Sequence, residues 1–389
     1  MRVGFDFRPA LRDAAGIGRY AAELARALTA HPSDTSLVLF GFAMRRAPRR
    51  AWPEWLGERD VRLVAPRLPA RLLPALSALG FSVDRLCGGL DLFHYTDFVY
   101  PPVERARRVL TVHDVAFIVS REFHERRLID SLGPLFRREL ATAAAVIVPS
   151  QFTRGEITRL ELVPPERLHV ARLGADHLDH LAATADPERA LRRFRLRGPY
   201  ILAVGTREPR KNHARLVRAF DRLARENMDL SLVVVGAQGW LTTSLRHALR
   251  AVRHPERICF TGRTDDRSLV DLYRGALFSC YPSVYEGFGL PLAEALRLGV
   301  PTLTSRSGAL EELAGDAAFL VDPLSEEEIL GGLRRLLSDE ALRRSLGEAG
   351  PRRVQHLTWE AAARATAHVY RHSLEVELSL PPRDGPIRP

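Results

Sequence analysis

Tyr281-Pro-Ser-Val-Tyr-Glu-Gly-Phe-Gly-Leu-Pro-Leu-Ala-Glu294 joins an apolar run to a helical one. The run before it, Ala276 to Cys280, has the length and composition of a buried strand, and Leu292 to Leu298 predicts a helix closed by Gly299 and Pro301. In open α/β sheets ligands bind outside the carboxyl ends of the strands, and a helix N-terminus there favours an anion, phosphate above all. Gly287 and Gly289 let the backbone approach such a ligand, and Pro291 suits a first helical turn because its missing N–H would be unpaired anyway. Glu294 is expected in that first turn, where its two oxygens can accept both hydroxyls of a ribose diol. Glu286, on the loop before the helix, is free to reach another part of the same ligand.

Outward from this stretch, strand-like and helix-like segments alternate along the whole chain, which predicts parallel sheets covered by helices. A length of 389 residues suits two domains of about 180 each. Arg2 to Phe7 reads as the first strand, followed by a glycine-rich turn with Gly16 and Gly18 and a helix over Tyr20 to Ala30. That turn fits either a phosphate cradle or a bend that only permits tight packing. Val109-Leu-Thr-Val-His-Asp-Val115 places His113 and Asp114 at the carboxyl end of a strand, the edge where sites form. The second half restarts the pattern with the strand Tyr200 to Gly205, the loop Thr206-Arg-Glu-Pro-Arg-Lys-Asn212 and a helix from His213 to Ala224. Of the 57 basic residues only Lys211 is a lysine. A compact ammonium kept at one place in an arginine-rich chain suggests a chemical requirement, because it meets a phosphate oxygen differently from a planar guanidinium.

The Glu-x7-Glu arrangement from Glu286 to Glu294, with Gly-Phe-Gly and Pro inside it, resembles the signature of retaining glycosyltransferases of the GT-B fold, family 4 in particular. The run Glu208-Pro-Arg-Lys-Asn212 resembles the donor-diphosphate loop of that family. His113-Asp114 followed by Val-Ala-Phe resembles the acceptor-domain motif of its mannosyltransferase-like members. The resemblance covers nearly the whole chain. It implies two Rossmann-like domains with parallel sheets facing across a cleft: residues 1–185 on the acceptor side and 198–357 on the nucleotide-sugar side. Residues 178–198 read as the linker. A helix over 358–378 is then expected to cross back to the first domain, and the tail 379–389 to be disordered.

By the same resemblance, His113, Lys211 and Glu286 carry the catalysis, with Asp114 supporting His113. The donor would meet Gly16, Gly18, Arg207, Lys211, Gly262, Arg263, Glu286, Gly287, Phe288, Gly289, Leu290 and Glu294. Many relatives have an arginine straight after the glycine of the diphosphate loop, whereas this chain has Thr206 there and Arg207 next. The implied reaction moves a hexosyl unit, mannosyl in the favoured case, from a nucleoside-diphosphate sugar, with GDP-mannose favoured, to a hydroxyl of a saccharide, lipid-linked saccharide or metabolite. The configuration at the anomeric carbon is retained. Front-face attack and a covalent intermediate both remain open as routes to retention. No cofactor or metal is expected, and no Asp-x-Asp motif occurs.

A net charge of +10 predicts an acidic partner. Nucleic acid is disfavoured because no helix-turn-helix, zinc or RNA-binding signature accompanies the charge. Met44 to Trp55 and Arg67 to Leu76 combine arginines with tryptophans and leucines, which fits either a peripheral contact with an anionic membrane or a solvated basic loop. No uninterrupted apolar stretch reaches the roughly 18 residues of a membrane span. Cys87, Cys259 and Cys280 lie far apart without metal spacing, so a reducing cytoplasm, with a peripheral position on the inner membrane face as a variant, is the expected location. The competing readings are a catalytically silent GT-B scaffold that keeps a nucleotide pocket, and a nucleic-acid binder driven by charge.

Overall fold

The computed structural model describes residues 1–375 apart from 13–15, 31–34, 43–60, 67–80, 124–125, 227–228 and 241. The two basic segments between Met44 and Leu76, and the tail 379–389, lie outside the described residues.

Seven strands form the first sheet: β1 (Arg2–Asp6), β2 (Ser36–Phe40), β3 (Arg62–Val64), β4 (Leu92–Tyr95), β5 (Arg107–Thr111), β6 (Ala145–Val148) and β7 (Leu168–Val170), in the order 3-2-1-4-5-6-7. Six form the second: β8 (Tyr200–Val204), β9 (Ser231–Val235), β10 (Ile258–Gly262), β11 (Phe278–Tyr281), β12 (Thr302–Ser305) and β13 (Phe319–Val321), in the order 10-9-8-11-12-13. All their pairings are parallel. Strands such as Leu37-Val-Leu-Phe40 and Leu232-Val-Val-Val235 are buried over their whole length. Such near-continuous apolar runs need helices on both faces of their sheet. In each sheet the order reverses beside the first strand, between β1 and β4 and again between β8 and β11. The crevice at such a reversal is where an open α/β sheet takes its ligand.

The helix Ile17–Ala30 begins three residues before the expected Tyr20. Gly16, at φ +55°, makes the turn into it, and Gly18 lies inside the first helical turn. Its buried stripe of Tyr20, Ala21, Leu24, Ala25 and Leu28 packs against the last helix, Trp359–Glu375. That last helix crosses back to the first domain as the resemblance implies: Arg107 donates to the Ser373 carbonyl at 2.6 Å, and Tyr370 meets His94 Nδ1 at 2.7 Å. The stretch expected as a linker is structured. Pro187–Phe194 is a helix capped by Asp186, and Arg189 grips the buried Asp271 carboxylate of the second domain with bonds of 2.6 and 2.7 Å. Its helical signal is faint because Ala190 is its one buried side chain, leaving little apolar periodicity to read.

The two domains share a continuous apolar core, in which Phe5, Tyr20 and Trp359 belong to the same cluster as Phe288, Leu292 and Leu310. Polar pins flank it. Ser150 caps the helix Gln151–Arg159, accepting from the Thr153 N–H, and its hydroxyl donates to the Gly287 carbonyl at 2.6 Å. Thr153 donates to the same carbonyl at 3.0 Å. Glu312 of the second domain accepts the N–H groups of Gln151 and Phe152 at 3.1 and 2.8 Å and lies 3.3 Å from Arg172. An acid at a helix N-terminus is favoured, and here it comes from the other domain. Glu312→Ala is therefore expected to lower the stability of the closed two-domain unit by about 1–2 kcal/mol, read as an earlier denaturation midpoint. Substitution of its exposed neighbour Glu311 serves as the control.

Candidate active site

Lys211 is aimed by the loop that follows β8. A 3-10 turn over Pro209–Lys211 ends at Asn212, whose φ of +61° swings the chain into the helix His213–Ala224. Asparagine tolerates that left-handed conformation better than most residues. Its amide is locked by bonds to the carbonyls of Pro282 at 3.0 Å and Pro323 at 2.7 Å. The ammonium consequently reaches the end of β11, donating to Tyr281 Oη at 2.5 Å and Glu286 Oε1 at 2.6 Å. Tyr281 in turn donates to Glu286 Oε1 at 2.8 Å, and Arg210 donates to Glu286 Oε2 at 2.5 Å. Arg210 also places its Nε 2.6 Å from Glu208.

This cluster is buried, which decides its electrostatics. Burial would push the Glu286 carboxyl up, but Arg210 and Lys211 outweigh it and hold the group down at about 2. Burial draws the Lys211 ammonium below its usual value while Glu286 pulls it back up. With Glu286 ionised and both bonds short, the pair stands as ammonium and carboxylate. Burial raises Glu208. The buried polar atoms without a hydrogen-bond partner among the described residues include Arg207 Nε and His213 Nδ1 of this loop. Burial holds His213 neutral, down at about 3, with Lys211 and Arg207 adding to the effect. The Arg207 guanidinium lies over Phe260 of β10, 5.2 Å from the ring centre, rather than beside Glu286. A buried loop with unpaired nitrogens next to an ammonium is chemically suited to an anion.

The opposite wall comes from the first domain. Gly287 packs on His113 so closely that a Cβ there would sit 1.8 Å from the His113 carbonyl oxygen. His113 Nε2 donates to the Thr96 carbonyl at 3.0 Å, its ring stands edge-on to Tyr20, and burial lowers its pKa. The imidazole is thus neutral with its proton on Nε2. Asp114 turns to the following backbone, accepting the Ala116 N–H at 3.0 Å, so it supports the chain after His113 rather than the ring.

Glu294 is not in the first helical turn as expected. Gly289, at φ +95°, is the cap, and the helix Leu290–Arg297 starts two residues early and puts Glu294 in its second turn. From there Oε1 accepts from His177 Nε2 at 3.0 Å and Oε2 from Tyr273 at 3.2 Å. Gly16 and Gly18 bring in Arg19, whose guanidinium spans the domains to pair with both oxygens of Asp266. Gly262, at φ +73°, closes β10 just before Arg263. The Phe288 side chain joins the apolar core between domains, and Leu290, partly buried, packs against it. Phe288 also lines a cavity of about 220 Å³ with Ser150, Arg172 and Glu312, on the pinned seam. Sequence reasoning missed Arg210, Tyr281, His177 and Tyr273 as members of the site.

Residues 186–353 match the family described as glycosyl transferases group 1, and residues 14–178 match glycosyltransferase family 4. The O-antigen chain mannosyltransferase B of Escherichia coli is 28% identical over 95% of this chain and 100% of its own length. The MMP alpha-(1->4)-mannosyltransferase of Mycolicibacterium hassiacum is 28% identical over 75% of this chain and 70% of its own. Among solved structures, sucrose-phosphate synthase from Thermosynechococcus elongatus superposes with a TM-score of 0.75 at 20% identity, covering 96% of this chain and 98% of that one. Anabaena HepE in complex with UDP and glucose gives 0.75 at 17% identity, covering 95% and 99%. Two facing Rossmann-like domains with this site between them define a GT-B glycosyltransferase. The chain belongs to the group 1, family 4-like glycosyltransferases. Among the described residues no helix is long and apolar enough to cross a membrane.

Proposed function

We propose that the chain moves a mannosyl unit from GDP-mannose to a hydroxyl of a saccharide or lipid-linked saccharide, with retention at the anomeric carbon and without a bound metal. The observation that carries this reading is the Lys211–Glu286 pair at the carboxyl edge of the second sheet, walled by His113. A departing nucleoside diphosphate gathers negative charge on the oxygen leaving the anomeric carbon. Preorganised cations and backbone donors lower the barrier because they need no reorganisation as that charge grows. Lys211 has three donors and, among the described residues, two partners, Tyr281 and Glu286, so its third N–H is open to a phosphate oxygen. Arg207 Nε and His213 Nδ1 lie beside it with capacity to spare.

Glu286 fixes the ammonium and reaches toward sugar hydroxyls. His113, neutral, offers the Nδ1 lone pair to a hydroxyl of the donor sugar or the acceptor. The glycosidic bond forms as the bond to the diphosphate breaks. The acceptor proton passes to the leaving phosphate if attack is front-face, while a covalent route would need a carboxylate nucleophile. Mannosyl is favoured because two relatives bear that activity in their names. Metal independence is the expectation that follows from the cations already in place, since Lys211 and Arg210 supply fixed positive charge beside Glu286. The proposed place of work is the cytoplasm or an anionic inner membrane face, in keeping with the charge of +10.

The test is a binding series with GDP, UDP and dTDP, followed by turnover of GDP-mannose in excess EDTA with the product anomer read by NMR. Tightest binding to GDP, undiminished turnover in EDTA and an α-mannoside are expected. Preference for UDP overturns the donor, dependence on added metal overturns the mechanism, and nucleotide binding without any turnover favours the silent scaffold.

A further inference from the structure

Glu294 is held by a chain of bonds that begins on the crossover helix. Trp359 opens that helix and is buried, and its indole N–H donates to His177 Nδ1 at 3.2 Å. His177, also buried, meets Glu294 Oε1 through Nε2 at 3.0 Å. An indole nitrogen can only donate, so Nδ1 must accept and the ring proton must sit on Nε2, facing the carboxylate. The Tyr273 hydroxyl lies 3.2 Å from the other carboxylate oxygen and 3.1 Å from the Pro291 carbonyl, so its one proton is shared between them. One oxygen of Glu294 is thereby fixed by the imidazole N–H and the other lies within reach of the shared Tyr273 proton, and both keep lone-pair capacity. That pattern matches two adjacent hydroxyls.

The turn carrying His177 and the start of the crossover helix form one block. The Trp359 N–H bonds to Asp176 Oδ1 at 2.9 Å, and the Ala175 N–H to the Leu357 carbonyl at 3.0 Å. A Cβ on Gly174 would lie 2.3 Å from the Trp359 nitrogen, so no larger residue fits between them.

We propose that Trp359 is a positioning residue for donor recognition: through the tautomer it imposes on His177, it orients the Glu294 carboxylate to take the ribose diol. This rests on the reading that Glu294 binds ribose. If the indole N–H is lost, the His177 proton can move to Nδ1, and a lone pair then faces the carboxylate. Glu294 would swing away from the diol, while contacts to base and phosphates would persist.

The experiment compares GDP with 2′-deoxy-GDP, and UDP with 2′-deoxy-UDP, for binding to the full-length protein. Trp359→Phe is expected to weaken binding of the ribonucleotide about tenfold and leave the deoxy form within about twofold, so the preference for ribose collapses. Donor KM should rise in step while kcat at saturating donor stays within about twofold. His177→Gln, whose amide can accept from Trp359 and donate to Glu294, should keep the preference, and His177→Leu should lose it. That pair carries the test if Trp359→Phe does not fold. Equal weakening of both nucleotides, or an unchanged preference in Trp359→Phe and His177→Leu, overturns the proposal. Glu294→Ala separates the two layers. If it leaves the ribose preference intact, the ribose reading fails and the proposal falls with it; if it abolishes the preference while Trp359→Phe does not, the proposal alone falls.

Discussion

Lys211→Ala is expected to lower kcat for donor turnover by about 10²- to 10³-fold, the usual effect of deleting one preorganised donor from a developing anion. The buried setting is why the loss should be this large. Two unit charges 4 Å apart interact by about 1 kcal/mol in water and about 4 kcal/mol at an effective dielectric of 20. Lys211→Arg should not rescue, because a planar fork cannot occupy the slot where an ammonium meets Tyr281 and Glu286 within 2.6 Å. The fold should survive the alanine change, since Glu286 keeps its bonds from Arg210 and Tyr281 and is not left as an unpaired buried charge.

The pH profile gives an independent check on the same pair. Glu286 titrates at about 2 in the folded protein against an ordinary 4.5. Its pairing therefore stabilises the fold fully above about 4.5, and that contribution disappears as the pH falls through about 2. The acid limb of activity near neutrality should not come from Glu286. Lys211, drawn below the ordinary 10.5, should set an alkaline limb beginning under that value. Rate measurements against pH should show this limb in the wild type and not in the residual activity of Lys211→Ala; an identical limb in both would separate Lys211 from the chemistry.

The parts of this site that were legible share a local signal. Lys211 stood out as the one lysine in a chain rich in arginine, and Glu286 as the acid on a glycine-flanked loop between strand and helix. The parallel sheets followed from alternating short apolar runs and periodic segments, because a strand buried on both faces has no polar alternation to hide in. Arg210 escaped for the reason that made Lys211 visible: one more arginine carries no information where arginine is the default cation. Glu294 falls in the first turn of a helix begun at Leu292, whereas Gly289 at positive φ lets the helix begin at Leu290 and carries Glu294 into the second. His177 and Trp359 lie 182 residues apart and meet only because the last helix crosses back. No local pattern records such a meeting. The polar pins at Ser150 and Glu312 escaped likewise, since a cap can be read locally but a partner in another domain cannot.

Gly287→Ala is expected to damage rate and stability together, unlike the loss of the Lys211 side chain. The added Cβ would fall 1.8 Å from the His113 carbonyl oxygen, 2.8 Å from its carbon and 2.9 Å from Asp114 Cβ. The first two are backbone atoms of His113, two residues past the end of β5, so no rotamer change relieves the clash. Either the loop from Ser283 to Gly289 backs away or the domains part. Retreat of the loop strips the Gly287 carbonyl of its bonds from Ser150 and Thr153, and it moves Glu286, the adjacent residue, off Lys211 and Arg210. Overpacking of this kind costs about 1–3 kcal/mol, and each lost hydrogen bond adds about 1 kcal/mol. A shift of about 1 Å at the reacting centre can by itself cost about 10²-fold in rate. The expected result is a loss of at least about 10²-fold in kcat/KM together with a lower melting temperature. A second substitution separates the two causes: Ser150→Ala removes one bond to the Gly287 carbonyl without adding an atom at the seam, and should lower stability with only a small effect on rate. If Gly287→Ala keeps wild-type turnover and melting temperature, then His113 and Gly287 are not packed together in the working enzyme, and the wall that His113 provides for the sugar site is lost with that contact.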